Sequence, residues 1–190
     1  MTITQDFDTS TLPAAGTYTV DPIHSTVSFV ARHLVASKVR GQFTEFEGTV
    51  VIGDTPESSS VTATVKANSI TTHQEQRDAH LLTPDFLDSD NHPELTLVSK
   101  SVSPAKNGHY DLVADLTIKG VTKEVDFDLE FLGAGPHMAP DTVVAGFEAT
   151  ATIDRRDFGV NFEGSLENGS LVVGHRVTLE LVIEAASTKS

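Results

Sequence analysis

Eight histidines and 27 carboxylates carry most of the reactive chemistry in a 190-residue chain that has no cysteine. Their spacing decides what they can do. His33 and His175 fall on the inward parity of the first and last strand-like segments, so the two become neighbours if the sheet closes. A pair of imidazoles inside an apolar hollow would orient a hydroxyl, carbonyl or phosphate head group. The plainer alternative is two strand-end histidines bonded to backbone or water. No third ligand accompanies them, so no metal site is expected. His73 and His80 stand two helical turns apart, whereas helical zinc sites use spacings of three or four; both are expected to be exposed polar positions on one helix face. Arg77 and Asp78 are adjacent and cannot face each other on a helix. Each is expected to tie its segment to a rim or to residues 155–158, and Arg77 is also a candidate for an anionic head group.

No catalytic residue is expected. The chain has no G-x-S-x-G, no Gly-rich phosphate loop after a strand and no H-E-x-x-H. Asp126 and Asp128 alternate with Val125, Phe127 and Leu129, which puts them on the wet face of a strand.

The elements that must position these groups are nearly all β. Alternating apolar and polar residues over 18–33, 39–52, 61–67, 95–102, 110–118, 123–132, 143–153 and 171–184 predict about eight strands. Asn107-Gly108 is a strong hairpin signal, and 133–141, with its Gly and Pro, reads as a flexible loop. One faced alternation is typical of antiparallel sheets. The fold class expected is all-β: an extended, eight-stranded antiparallel barrel, with a two-sheet sandwich as the alternative. Residues 1–15 read as a flexible arm and 16–185 as the barrel domain.

Residues 68–93 break the pattern. Thr72 with Glu75 fits a capping box, and Thr83-Pro84 fits a second helix start. A hairpin-like helical insertion between strands 3 and 4 is therefore expected. Its apolar Ala79, Leu82, Phe86 and Leu87 would cover one end of the barrel.

The inward faces mix alanine (31, 63, 67, 114, 145, 149, 151) with phenylalanine. Small–large interdigitation could fill the core. The functional reading is a hollow for one apolar chain, at ~0.8 kcal/mol per buried methylene. The expected lining is Val27, Phe29, Ala31 and His33 from the first strand and Phe43 and Phe46 from the second. Val65 follows from the third, then Leu116, Phe127, Phe131, Phe147 and Ala149, with His175 and Val177 from the last. Leu82 and Phe86 would close it. A filled barrel serving only protein contacts, and an enzyme acting on the same chain through His33, His175 and a buried carboxylate, are the competing readings.

A net charge of −14 opposes nucleic acid and anionic bilayers as partners. The first residues have no positive n-region and no apolar h-region, so no secretory signal is expected, and no run approaches the ~20 apolar residues of a membrane span. A cytoplasmic protein without stable membrane insertion is expected.

Several segments together carry a resemblance. Residues 18–34 read YTVDPIHSTVSFVARHL; Gly41-Gln42-Phe43 with Phe46-x-Gly48 follows; then Ser69-Ile70-x-Thr72, Arg77-Asp78-x-His80-Leu81 and Asp85-Phe86-Leu87-Asp88; then residues 116–123, LTIKGVTK; then Arg156-x-Phe158-Gly159. In this order they resemble the YceI-like family over roughly residues 16–184. The resemblance implies a lipocalin-like barrel that binds a polyisoprenoid, prenyl quinone precursor or fatty-acid derivative, requires no cofactor and forms a homodimer. Many members are periplasmic with a cleaved leader, whereas no leader is expected from the first residues here, and Leu87 stands where the family often has a second Phe.

Overall fold

The computed structural model describes residues 13–34, 37–164 and 172–188. The expected arm at 1–15 lies almost wholly outside them. Eleven strands follow in order: β1 Gly16–Val20, β2 Thr26–His33, β3 Ser37–Phe43, β4 Phe46–Ile52, β5 Ser60–Lys66, β6 Ile70–Thr71, β7 Glu94–Pro104, β8 His109–Ile118, β9 Val121–Pro136, β10 Thr142–Asp154 and β11 Val173–Thr188. The helix α1, Glu75–Leu82, lies between β6 and β7.

Every pairing is antiparallel, and the order β1-β4-β5-β7-β8-β9-β10-β11 returns to β1 through Thr19↔Ala186 and Val20↔Ala185. The sheet is thus a closed eight-stranded barrel. The extra strands arise because three of the eight are bent: β1 continues as β2, β3 as β4 and β5 as β6. A side chain carries the hydrogen bonding across the first bend and backbone groups carry it across the other two. At the first, the Ser25 hydroxyl donates to the Glu184 carbonyl at 3.1 Å and accepts from the Glu184 amide at 3.0 Å. At the other two, the Thr44 amide donates to Ser69 O (3.1 Å) and the Lys66 amide to Glu45 O (2.9 Å). No backbone ladder is lost without replacement, as burial requires.

The Asn107-Gly108 hairpin forms as expected. Both residues are left-handed (φ 60° and 79°), matching the twist of the β7–β8 ribbon. The expected loop at 133–141 is corrected. β9 runs on to Pro136, pairing Gly133 with Gly146 and Ala134 with Ala145, and only 137–141 turn. A register shift between Gly146 and Phe147 absorbs the extra residue; small side chains do not prevent a backbone ladder.

The helical insertion is also simpler than expected. Gln74, not Thr72, caps α1, its side chain accepting from the Arg77 amide at 2.5 Å. Thr83-Pro84 ends the helix instead of starting another: Thr83 is extended (φ −71°, ψ 167°), as a residue before proline prefers, and its hydroxyl donates to His80 O at 2.8 Å. His73 precedes α1 at φ 60°, so it does not share a helix face with His80.

Two packed clusters close the barrel. One, at the end bearing α1, holds Leu97, Ile118, Ala151, Ile153, Phe158 and Val160 among others, with Phe86 and Leu87 packed on it. The other holds Tyr18, Ile52, Phe131, Ala145 and Ala185. Gly41 lets β3 pass under Phe29: a Cβ there would collide with the Phe29 ring and approach Thr72 Cγ2 to 2.9 Å. Gly41→Ala should therefore cost ~1–3 kcal/mol, a fall of roughly 2–12 °C in melting temperature at this chain length, read by circular dichroism.

Candidate functional site

Inside the closed barrel lies a cavity of about 190 Å³, walled in part by members of both clusters, among them Leu112 and Phe127 of the first and Ile52 and Phe131 of the second. β8 lines it from Tyr110 to Ile118, roughly 27 Å at the rise of an antiparallel strand. Its wall is almost wholly apolar. Val27, Phe29, Phe43, Phe46, Val65, Leu116, Phe127, Phe131, Phe147 and Ala149 stand on that wall, where alternation placed them. Phe29 and Phe43 meet at 6.1 Å between ring centres, and Phe131 and Phe147 at 5.5 Å. Sequence reading left out Val50, Ile52, Leu95, Tyr110, Leu179 and Ile183, which also line it. Each lies on the same inward parity and could have been found by extending the alternation along every strand.

Six expected lining residues lie elsewhere. Ala31 is buried, and Val177 packs on the cluster at the α1 end, below the cavity. Leu82 is half-buried on α1, off the cavity wall. Phe86 belongs to the plug, with its ring 4.9 Å from Phe162 and His80 edge-on to both at 5.1 Å. His33 and His175 do not reach the cavity. The β2–β11 ladder shifts register between Val173 and Val177, lifting His175 out of step with its neighbours. Its Nε2 is buried without a hydrogen-bond partner, 3.7 Å from a Glu163 carboxylate oxygen.

The cover at the α1 end is the turn after the helix. Phe86 and Leu87 pack on the core, while Ala79 is exposed. Lys119 pins this turn by donating from Nζ to Pro84 O (2.6 Å) and Gly159 O (3.2 Å). Arg155 is 5 % exposed, and its guanidinium donates to the carbonyls of Gly174 (3.0 Å), Val160 (2.6 Å) and Phe162 (2.8 Å). It thereby ties the Arg155–Phe158 turn to the start of β11, a role that spacing alone did not reveal.

Arg77 and Asp78 both anchor α1 to the rim. Arg77 Nε donates to Thr72 Oγ1 at 2.6 Å and Nη2 to Thr72 O at 2.9 Å, so this candidate for a head group is committed to the fold. Asp78 accepts from the Thr72 amide (2.8 Å), the Thr71 hydroxyl (3.0 Å) and the Thr72 hydroxyl. Burial works against its charge, but these hydrogen bonds outweigh that and hold its pKa below the ordinary carboxylate range.

Asp126 and Asp128 face outward as expected, and Asp128 meets His109 Nδ1 at 2.7 Å. Asp21, His24 and Glu184 bring ligand-type atoms together at the β1–β2 bend, off the cavity wall; His24 Nδ1 is hydrogen-bonded to Asp21 at 2.7 Å. Among the described residues no helix is long and apolar enough to cross a membrane.

This barrel has known relatives. The sequence pattern of the YceI-like domain matches residues 18–185. The chain belongs to the YceI-like family. A UPF0312 protein of Staphylococcus aureus strain MSSA476 is 40 % identical over 169 residues, covering 88 % of this chain and 95 % of that protein. Burkholderia cenocepacia BcnA has the same fold at 22 % identity and a TM-score of 0.71, over 89 % of this chain and 99 % of that one. A domain of Saccharophagus degradans, described as polyisoprenoid binding and implicated in plant cell wall breakdown, superposes with a TM-score of 0.65 at 15 % identity, over 88 % and 97 % of the two chains.

The anchor of this YceI-like domain is testable. Asp78→Ala leaves an amide and two hydroxyls without their acceptor, at ~1–3 kcal/mol, and amide exchange across α1 should quicken about tenfold or more. Because the folded pKa of Asp78 is lowered, its stabilisation is complete above the unfolded value near ~4 and is lost as pH falls below it. Exchange in α1 should therefore accelerate on acidification in the native protein and much less in Asp78→Ala.

Proposed function

We propose that this protein binds one long apolar or amphiphilic chain inside the barrel and stores, shields or transports it. The single observation that supports this best is the apolar cavity inside the closed barrel. Its wall is almost wholly apolar, with Glu47 the one charged residue on it among the described residues, so affinity would come from buried methylenes, at ~0.8 kcal/mol each, with little demand on chemical detail. A polyisoprenoid, a prenyl quinone precursor or a fatty-acid derivative fits that description. The family and the polyisoprenoid-binding description of the Saccharophagus degradans domain agree with it. A catalytic reading needs His33 and His175 converging on a buried carboxylate. Neither lines the cavity, and the Glu163 beside His175 is exposed, so no specific observation favours that reading.

Extraction of the purified protein with organic solvent, followed by mass spectrometry, should recover a long-chain apolar molecule. No such molecule, together with no uptake of a prenyl quinone or fatty acid, overturns the proposal. Ala149→Trp places a large ring on the cavity wall and should abolish uptake, with a stability cost of ~1–3 kcal/mol. Thr150→Trp, on the opposite face of the same strand, should leave uptake unchanged. The chain has no native Trp, so each introduced indole also reports its surroundings by fluorescence.

A further inference from the structure

The net charge is −14, yet one region of the outer wall is basic. Arg32 of β2 stands directly opposite Lys38 of β3. Gly174 and Arg176 of β11 lie beside them, and a Cβ on Gly174 would sit 3.4 Å from the Arg32 Cβ. Arg32, Lys38 and Arg176 are all exposed. Among the described residues, none of the three side chains takes part in an ion pair or a hydrogen bond. That sets them apart from Arg40, Lys66, Lys100 and Arg156, which each meet a carboxylate at 2.6–2.8 Å. Like charges facing each other across an antiparallel pair are destabilising, so the fold does not account for the arrangement.

The carboxylates nearby do not neutralise it. Glu180 is engaged by Arg40, Asp154 by Arg156, and Glu163 faces His175. The three cations line a shallow, open concavity with Thr152, Thr178, His175 and the Arg40-paired Glu180. Neighbouring strands are ~4.8 Å apart, so the charges spread over about 10 Å of flat wall, wider than one small anion and suited to an array of head groups. Acidic charges on distant parts of the barrel are screened over ~8 Å at physiological salt, so a local patch can act against the sign of the whole. Val27, Phe29 and Phe43, on the opposite face of the same two strands, line the cavity.

We propose that this outer face of β2, β3 and β11 docks on the surface of an anionic phospholipid bilayer. The inference rests on the reading that the cavity carries a lipid-type chain, since docking would hold the barrel where such a chain is exchanged. It concerns charge on the surface and needs no insertion.

Flotation with vesicles of phosphatidylglycerol mixed with phosphatidylcholine, compared with phosphatidylcholine alone, tests it at physiological ionic strength. The protein should partition onto the anionic vesicles only, and 0.5 M salt, with a Debye length of roughly 4 Å, should release it. Arg32→Glu combined with Arg176→Glu should lower anionic-vesicle binding about tenfold or more. Lys106→Glu combined with Lys123→Glu, the same change in net charge elsewhere, should bind as the native protein does. Equal loss in both variants, or no preference for anionic vesicles, overturns the proposal. Uptake of a prenyl quinone delivered in detergent micelles is measured alongside. Uptake without vesicle preference rejects the docking face alone, and vesicle preference without uptake rejects the cavity reading alone while sustaining the docking face.

Discussion

The closing seam along β11 is the constraint on which the rest depends. This strand pairs with β10 from Thr142↔Thr188 to Asp154↔Arg176, and its other edge is shared between β2 and, beyond the bend, β1. Without the β1 and β2 pairings the sheet would have open edges, inviting aggregation, and no interior. The Ser25–Glu184 exchange carries the seam across the bend at residues 21–25, where the ladder would otherwise stop. One hydroxyl that both donates and accepts replaces a backbone pair, and a bent strand stays part of a closed wall.

Closure creates an inside, but residue size decides whether the inside is full. Ala114, Ala145 and Ala185 are fully or almost fully buried in the packed clusters, where small side chains let large neighbours meet. Ala63 and Ala149 stand on the cavity wall, where they leave space. Ala149 is also a member of the larger cluster, so the two readings of the inward alanines, interdigitation and a hollow, hold side by side in the same barrel. The α1 end is sealed by Phe86, Leu87, Phe158 and Val160. Lys119 and Arg155 hold that seal by donating to backbone carbonyls, which satisfies turns that would otherwise bury unpaired acceptors.

Charge follows the same logic of placement over composition. The total of −14 describes the far field. Among the described residues, seven cations are engaged by carboxylates, hydroxyls or carbonyls, and three of those left over stand together on β2, β3 and β11. Strand pairing alone brings residues 32, 38 and 176 together. No count of acidic and basic residues contains that information.

Alternation is a local property, so the sequence by itself determined the strands and their inward faces. Val27, Phe29, Phe43, Phe127 and Phe147 could be placed on one side of the wall because successive side chains on a strand point to opposite faces. The Asn107-Gly108 hairpin and the helix near residue 75 were legible for the same reason. Tertiary structure decided what local pattern cannot encode. Which inward residues face a hollow and which face a plug depends on depth along the barrel, so Ala31 and Val177 share the parity of Phe29 but not its surroundings. The register shift after Val173 displaced His175, because two extra residues of β11 bulge out of the β2 ladder there. The Thr72 capping box yielded to Asp78, since a charged acceptor outcompetes a local cap. The motifs from 18–34 to 156–159 were enough to recognise the family, although they leave β7, β10 and β11 unsampled; the cavity needed the closed barrel to exist at all.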